Sequence, residues 1–545
     1  MKQRKTKMNK TPEFVPGPPG TGKTHVWLKD KYAEFLEAGY EWDRIVVLSH
    51  TNTAAEEIVK AVKNLPQLKD VPDTKLEDQI CTIHSYFRAE YLPLQKYEQA
   101  EHKKFCDENI AMRNWNKGKW DKHPLYTFSS HAHGKEMTFD QYWQVCNTQS
   151  YEPYTKHHLK PLKEKYDAFR ENHKKLSFED MIDNFIFRAE IPTNIDILIV
   201  DEAQDCSKPQ IKALQKAATN TKRFIFIGDP DQTIHEYAGS DPDFFYKLAS
   251  TPEAKNNELK EGLRCGETIN KICKNIIAPV WNKWGVNAVR TWTPVEGVVG
   301  NSYWIPSIEQ SCEASEILIN KILTTNESFL FTYRGNPTHK KINEFLEANG
   351  IDYKLVSNDK PHVSRKDFRC FKTWDNFLND KVSKKQIMDY WPLVGKLVKV
   401  HGKGSVDKLK PLIDKEYNIQ EFIDMGFILP EAKQYKDFSE VVIKKDLIEK
   451  IPFIRRVLHN KMNIEKMPRV EHDTIHKVKG LTYDNVIVDL SVYRRERDVY
   501  EPIRLAYVAY SRGKIDCWSI GTSNFKYMPG GLAGIQNHRR EILEL

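Results

Sequence analysis

Short apolar runs recur along the chain, each followed by a turn or by a helical pattern of apolar positions. They are Ile45–Leu48, Ile197–Val200, Phe224–Ile227, Phe329–Phe331 and Val486–Val488. Runs this short, bounded by turns, fit strands buried on both faces, the environment of a central parallel sheet. Strands that alternate with helices imply α/β layers. Two long stretches break the rhythm. Residues about 90–175 are rich in Lys, His, Tyr and Trp and helical in pattern, and residues about 356–467 are again helical and basic. Both read as domains inserted into α/β hosts. No short-period repeat and no long low-complexity segment is present.

At roughly 100–200 residues per domain, a chain of this length makes about three to five domains with ample buried core. Lys+Arg 83 against Asp+Glu 75 leaves a formal charge of +8. That mild basic excess fits a polyanionic partner without proving one. Lys381, Lys384, Lys385, Lys396, Lys399, Lys403, Lys408 and Lys410 concentrate part of it in the second helical stretch. A solvated face and a nucleic-acid contact both account for these lysines. The nine cysteines, among them Cys106, form no CxxC pair. This argues against zinc ribbons and iron–sulfur clusters and for reduced thiols in a cytoplasmic protein. The basic start MKQRKTKMNK leads into no apolar stretch, so it does not read as a secretory signal. No run of about 18 apolar residues marks a membrane span.

Chemistry enters with Gly17, Pro18, Pro19, Gly20, Thr21, Gly22, Lys23 and Thr24, which fit GxxxxGK[ST]. In such a loop the glycines let backbone N–H groups turn toward phosphates, and Lys23 reaches the β- and γ-phosphates. The Thr24 hydroxyl would ligate Mg²⁺, and the helix that follows adds a favourable dipole. The run Ile197–Val200 leads into Asp201, Glu202, Ala203, Gln204 and Asp205. An acid at the carboxyl end of an apolar strand lies beside a phosphate loop at the sheet edge. Asp201 suits Mg²⁺, and Glu202 suits the base that polarises the attacking water. Phe224–Ile227 likewise leads into Gly228, Asp229, Pro230, Asp231 and Gln232. Gln232 is either a sensor of the γ-phosphate or a turn glutamine.

Taken in order, these motifs resemble the UvrD/Rep/PcrA family of superfamily 1 DNA helicases. Leu48–Glu57, with Thr51 and Asn52, is similar to the family's TN-x-AA motif, and Thr82–Phe87 to its TFHS motif. Leu176–Met181 looks like its DFxDL segment, and Gln232–Gly239 extends its third motif. Leu259–Cys265 resembles LxxNYRS, Phe331–Arg334 a second-domain strand with its arginine, Asp473–Thr482 TIHxxKGLE, and Arg504–Arg512 RLxYVAxTR. The resemblance implies two RecA-like P-loop motor domains, each with a mainly helical insertion. The boundaries expected are 1–89 and 176–252 for the first motor and 90–175 for its insertion. For the second they are 253–355 and 468–545, with 356–467 as its insertion.

The resemblance also implies roles. Lys23, Glu202, Gln232, Arg264 and Arg512 would carry catalysis. Gly17 to Thr24, Arg264, Gly480 and Arg512 would bind ATP, and Thr24 and Asp201 the metal. Arg264 and Arg512 would be second-domain cations that stabilise the transferring phosphoryl group on closure. His50, Thr51, Asn52, His84, His235, Tyr237, Arg334 and His476 would line a single-stranded DNA track. Several positions depart from the family pattern. Gln3 lies in a basic tail that makes no convincing adenine-reading motif. Leu263 stands where an aromatic usually faces adenine, Thr482 replaces a Glu, and Glu236 and Ala238 stand where arginines are frequent. The chain ends soon after Arg512, with no room for an appended nuclease domain. The second insertion is shorter than usual, as in compact or viral members, which leaves open a viral protein acting in host cytoplasm.

The activity implied is Mg²⁺-ATP hydrolysis coupled to movement on single-stranded DNA and to 3′→5′ unwinding of tailed duplexes. The alternatives are an ATPase that remodels or strips protein–DNA complexes, and a nucleotide-gated DNA-binding clamp. RNA stays open as a substrate because stacking and backbone contacts do not exclude ribose. Protein partners are not legible, and no membrane partner is implied.

Overall fold

The computed structural model describes residues 10–91, 105, 124–146, 154–172, 178–390, 409–435, 445–489 and 500–521. Gln3, Cys106, Lys396, Lys399, Lys403 and Lys408 lie outside the described residues. Two compact units divide the chain. The first holds residues up to Val298 together with a later segment that ends at Tyr507, and the second holds the rest.

The first unit is built on a parallel sheet of β1 (Glu13–Pro16), β2 (Ile45–Ser49), β3 (Ile80–Thr82), β4 (Ile197–Val200) and β5 (Arg223–Gly228). Their order across the sheet is β1-β5-β4-β2-β3. Alternation along each strand feeds two cores. Val46, Leu48, Leu198, Val200, Phe224 and Phe226 face one, and Ile45, Val47, Ile197, Ile199, Ile225 and Ile227 face the other. Both faces are covered, which is why these strands read as unbroken apolar runs. Helix Asn52–Lys63 closes the second face with Ala55, Ile58, Val59 and Val62 at helical spacing. Its first turn is capped by Thr51, whose hydroxyl accepts from Ala54 N–H at 3.2 Å.

Within 90–175 the described residues form helices Pro124–Gly134, Phe139–Val145 and Lys156–Asn172. Phe105, Leu125, Phe128, Tyr142, Leu159 and Tyr166 give them a core of their own. The end of the first helix docks on the turn after β5. Gly239 has φ +102, and a Cβ there would sit 2.2 Å from the Gly134 carbonyl carbon. Only glycine fits both the backbone angle and the approach.

The second unit is a sheet of β6 (Ser302–Ile305), β7 (Phe329–Tyr333), β8 (Tyr353–Leu355), β9 (Asn358–Pro361), β12 (Val470–Thr474), β13 (Tyr483–Asp489) and β14 (Gly513–Ile520). A separate antiparallel pair is formed by β10 (Val382–Ser383) and β11 (Glu416–Tyr417). The main order is β6-β14-β13-β7-β12-β8-β9, parallel except where β8 meets β9. Trp374, Phe377, Phe422 and Ile454 from 356–467 share one core with Phe329, Phe331 and Val470 of the sheet.

The boundary between units differs from the one expected at 252/253. Helix Glu267–Trp284 and the residues after it belong to the first unit, because Trp281 and Arg290 bond Asp231 at the end of β5. The expected strands are present, but several others escape an apolar-run criterion. β12 reads Val-Glu-His-Asp-Thr, yet His472 and Asp473 are buried in it.

Candidate active site

In the first sheet, strand order turns the carboxyl edge into a graded row. The phosphate loop leaves β1, Gln232 follows β5, Asp201 and Glu202 follow β4, His50 to Asn52 follow β2, and His84 follows β3. The phosphate-loop candidates thus begin at one end of the row and His50, Thr51, Asn52 and His84 occupy the other, while His235 and Tyr237 follow β5. The edge where parallel strands end is the usual ligand edge of such sheets.

The phosphate loop is tied to its neighbour strand, with Gly17 N–H donating to the Gly228 carbonyl at 2.9 Å. Its helix opens with a wide first turn, in which the N–H groups of Val26 and Trp27 both donate to Gly22 O at 3.0 Å. Lys23 is buried and its ammonium donates to Gly17 O at 2.9 Å, so the side chain folds across the loop. The Thr24 hydroxyl donates to an Asp201 carboxylate oxygen at 2.7 Å. Lys23 Nζ lies 4.0 Å from Glu202.

Burial, and then the neighbouring Glu202, raise the Asp201 carboxyl above its ordinary range, against the Thr24 hydroxyl and Lys23. Two acids held together against their solvation form a place that a divalent cation would stabilise. The hydroxyl–carboxylate pair has the oxygen donors that Mg²⁺ prefers, so Thr24 and Asp201 fit the metal role. Glu202 has φ +49, an uncommon backbone angle for a residue with a side chain. Its carboxylate accepts from Gln204 Nε2. Gln204 in turn accepts from Asp229 N–H at 3.1 Å, and Asp229 accepts from Gln232 Nε2 at 2.9 Å. A chain of hydrogen bonds therefore joins the expected base to the expected sensor. Gln204 and Asp229 lie within these motifs, but nothing in the sequence alone assigns them a role.

Arg264 was expected to come from a second motor; the structure places it in the unit of the phosphate loop. Leu263 N–H donates to Gly20 O at 2.7 Å. A Cβ on Gly20, at φ +70, would meet Arg264 Cβ at 2.3 Å, so glycine is required there as well. Burial pushes the Arg264 pKa down. Leu263 is 51% exposed beside this loop, with no aromatic ring in its place.

The nucleic-acid candidates of the first unit make specific contacts. His50 Nε2 lies 3.4 Å from Cys206 Sγ. Burial lowers the His84 pKa. His235 bonds the Tyr237 hydroxyl at 3.0 Å, and Tyr237, 40% exposed, meets the His131 ring edge-on at 4.9 Å. Glu236 is accounted for: it ion-pairs with Arg504, whose Nε donates to Thr233 O at 2.8 Å. An acid at this position answers a buried guanidinium of the same unit.

In the second unit the candidates fall on two edges. Arg334 and His476 follow the paired carboxyl ends of β7 and β12, where Tyr333 aligns with Thr474. Gly480, at φ +90, and Arg512 precede the paired amino ends of β13 and β14. Arg512 is buried and donates to Val508 O at 2.9 Å, and its own carbonyl accepts from Tyr483 N–H at 2.9 Å. Among the described residues no helix is long and apolar enough to cross a membrane.

Phosphate loop, hydroxyl–acid pair and adjoining glutamate come together at the carboxyl edge of a parallel α/β sheet, as a candidate nucleotide site. Residues 1–253 match the UvrD/REP helicase N-terminal domain. The chain is 24% identical over 388 residues to the ATP-dependent DNA helicase Rep of Escherichia coli K12, covering 63% of this chain and 54% of that protein. The Rep protein of Salmonella typhimurium LT2 gives the same identity over 63% of this chain and 53% of its own length. The PcrA helicase of Staphylococcus epidermidis RP62A is 24% identical over 279 residues, 47% of this chain and 35% of that protein. The chain is thus similar to helicases of the UvrD/Rep/PcrA family, with the family model confined to residues 1–253. It spans about half the length of the relatives it matches.

Proposed function

We propose that the protein hydrolyses ATP with Mg²⁺ and couples turnover to 3′→5′ movement along single-stranded DNA and to separation of duplex. The observation that carries this is the convergence of Lys23, Thr24, Asp201 and Glu202 on one phosphate loop, linked through Gln204 and Asp229 to Gln232. Thr24 and Asp201 would hold Mg²⁺, which when bound offsets charge on the phosphates. Glu202 orients and deprotonates the attacking water. Lys23 and Arg264 stabilise charge on the phosphoryl group, and Arg512 is a further proposed cation for it. Gln232 reads the γ-phosphate. The DNA reading draws on the matched relatives, which carry the name ATP-dependent DNA helicase. His50, Thr51, Asn52, His84, His235, Tyr237, Arg334 and His476 are its proposed contacts. Tyr237 suits a sequence-blind grip because every base offers a π-face.

The test is ATPase activity with single-stranded DNA, duplex DNA and RNA, run beside unwinding of tailed duplexes. Stimulation by single strands and opening of duplexes with a 3′ tail are expected. Opening of 5′-tailed duplexes alone would overturn the direction. Stimulated turnover without unwinding would favour a remodelling or protein-stripping ATPase, and nucleotide-dependent binding without turnover a clamp. DNA affinity is expected to fall as salt rises, because phosphate neutralisation releases counterions.

Leu263 carries a second prediction. A site that hydrogen-bonds its base rejects analogues strongly, whereas an apolar side chain discriminates weakly. Phosphate loop, acids and arginines are blind to the base. GTP, CTP and UTP are therefore expected to support turnover with kcat/KM within about tenfold of ATP, a difference of about 1.4 kcal/mol. The measurement is kcat/KM for each nucleotide at saturating single-stranded DNA. A preference for ATP of about a hundredfold or more, about 2.7 kcal/mol, would require a strong adenine contact elsewhere.

A further inference from the structure

Among the buried charges of the first unit, Arg290 has no part in the chemistry proposed above. It lies beyond helix Glu267–Trp284 and is among the largest fully buried side chains described. Its Nη1 ion-pairs with Asp231 and stands 3.8 Å from Asp229. Its guanidinium also sits over the Tyr246 ring, 5.6 Å from the centroid. Asp231 further accepts from the Tyr246 hydroxyl at 2.5 Å and from Trp281 Nε1 at 2.9 Å. Asp229 accepts from Asp231 N–H at 3.1 Å, from Gln232 Nε2 at 2.9 Å and from the Tyr507 hydroxyl at 3.2 Å. The guanidinium thus reaches the Gln232 carboxamide through three bonds, from Arg290 to Asp231, from Asp231 N–H to Asp229 and from Gln232 Nε2 to Asp229.

We propose that Arg290 is a positioning residue for nucleotide sensing, which fixes the Asp229–Gln232 turn and so aims the Gln232 carboxamide at the terminal phosphate. This rests on the reading of the phosphate loop as a triphosphate site. Stability alone does not account for the arrangement. Burying a guanidinium with two carboxylates carries a heavy desolvation cost, and well-packed apolar residues often serve as well or better. The charges instead supply direction. Two carboxylates in one buried turn repel, and without a cation between them one takes up a proton or the turn opens. Proton uptake by Asp229 or opening of the turn would weaken or displace the acceptor that holds the Gln232 carboxamide. A lysine cannot replace the guanidinium fully, since it is a point charge and not a planar fork.

The experiment is equilibrium binding of fluorescent ADP and of a fluorescent non-hydrolysable ATP analogue to the full chain. It compares wild type with Arg290→Gln, Arg290→Lys, Gln232→Ala and the double variants. The preference for triphosphate over diphosphate should fall about tenfold in Arg290→Gln and in Gln232→Ala, with no further fall in the double variant. ADP affinity should stay within about twofold of wild type. Should Arg290→Gln fail to fold, Arg290→Lys carries the test, with a fall of about threefold that vanishes in the Gln232→Ala background. An unchanged preference, or losses that simply add, would overturn the proposal. Binding requires no turnover. A wild type that prefers triphosphate yet hydrolyses nothing would therefore sink the catalytic reading while this readout still decides the role of Arg290.

Discussion

Glu202→Gln is expected to bind nucleotide as the wild type does and to turn it over about 10²–10⁴-fold more slowly. The substitution changes little besides basicity. The glutamine oxygen can accept from Gln204 Nε2 as the carboxylate does, so the link toward Asp229 survives. The backbone at position 202, with φ +49, accommodates glutamine and glutamate alike. Removal of a charge 4.0 Å from Lys23 leaves the phosphate loop intact and relieves the acid pair with Asp201. The lost function is confined to the transition state, so kcat falls and nucleotide affinity does not. Single-turnover hydrolysis beside equilibrium binding separates the two. Wild-type turnover in this variant would remove Glu202 from the role of base.

Arg264→Ala should cost about 10³-fold in kcat, the lower end of what an arginine on a transferring phosphoryl group contributes. Alanine keeps the Cβ that packs against Gly20, so the local fit of the loop is retained and the guanidinium alone is lost. The neighbouring bond from Leu263 N–H to Gly20 O is a backbone contact and should persist. ADP affinity is therefore expected to change little, with the loss concentrated in turnover. A loss in ADP affinity equal to the loss in kcat/KM would assign Arg264 to ground-state binding instead. Arg264→Lys should recover only part of the rate, because an ammonium does not reproduce the planar fork.

Sequence pattern reaches far into this fold where burial is symmetric. Ile45–Leu48, Ile197–Val200 and Phe224–Ile227 are apolar at every position because both faces of their sheet are covered. It fails where side chains are buried with partners of their own. His472 in β12 is enclosed and bonds the Tyr333 hydroxyl at 3.1 Å, so a polar spelling hides an interior strand. In the site, Lys23, Thr24, Asp201 and Glu202 are legible because a phosphate loop and an acid-terminated strand have a fixed relation in parallel sheets. Arg290 is not legible. Nothing in the sequence near position 290 points to a turn at 229–232, and only the packing of helix Glu267–Trp284 brings them together. Arg264 shows the converse difficulty. Its motif is legible in the sequence, but motif order points to the second motor, whereas the compact unit that holds the phosphate loop extends to Val298 and includes it.

The meeting of Gly134 with Gly239 has a consequence for anyone building a shortened or chimeric motor. Fusing position 91 to position 178 would excise the Pro124–Gly134 helix, and with it the ring of His131 beside Tyr237 and the Tyr142 hydroxyl that donates to Tyr237 O at 3.3 Å. The 235–239 turn would then carry a left-handed glycine shaped for a neighbour that had been cut away. A transplanted insert faces the mirror problem, since any side chain at the position of Gly134 would strike the Ala238 carbonyl at 2.1 Å. Insert and turn are thus inherited as a matched pair, and a graft that carries one across without the other should lose its purchase on Tyr237 before it loses its fold.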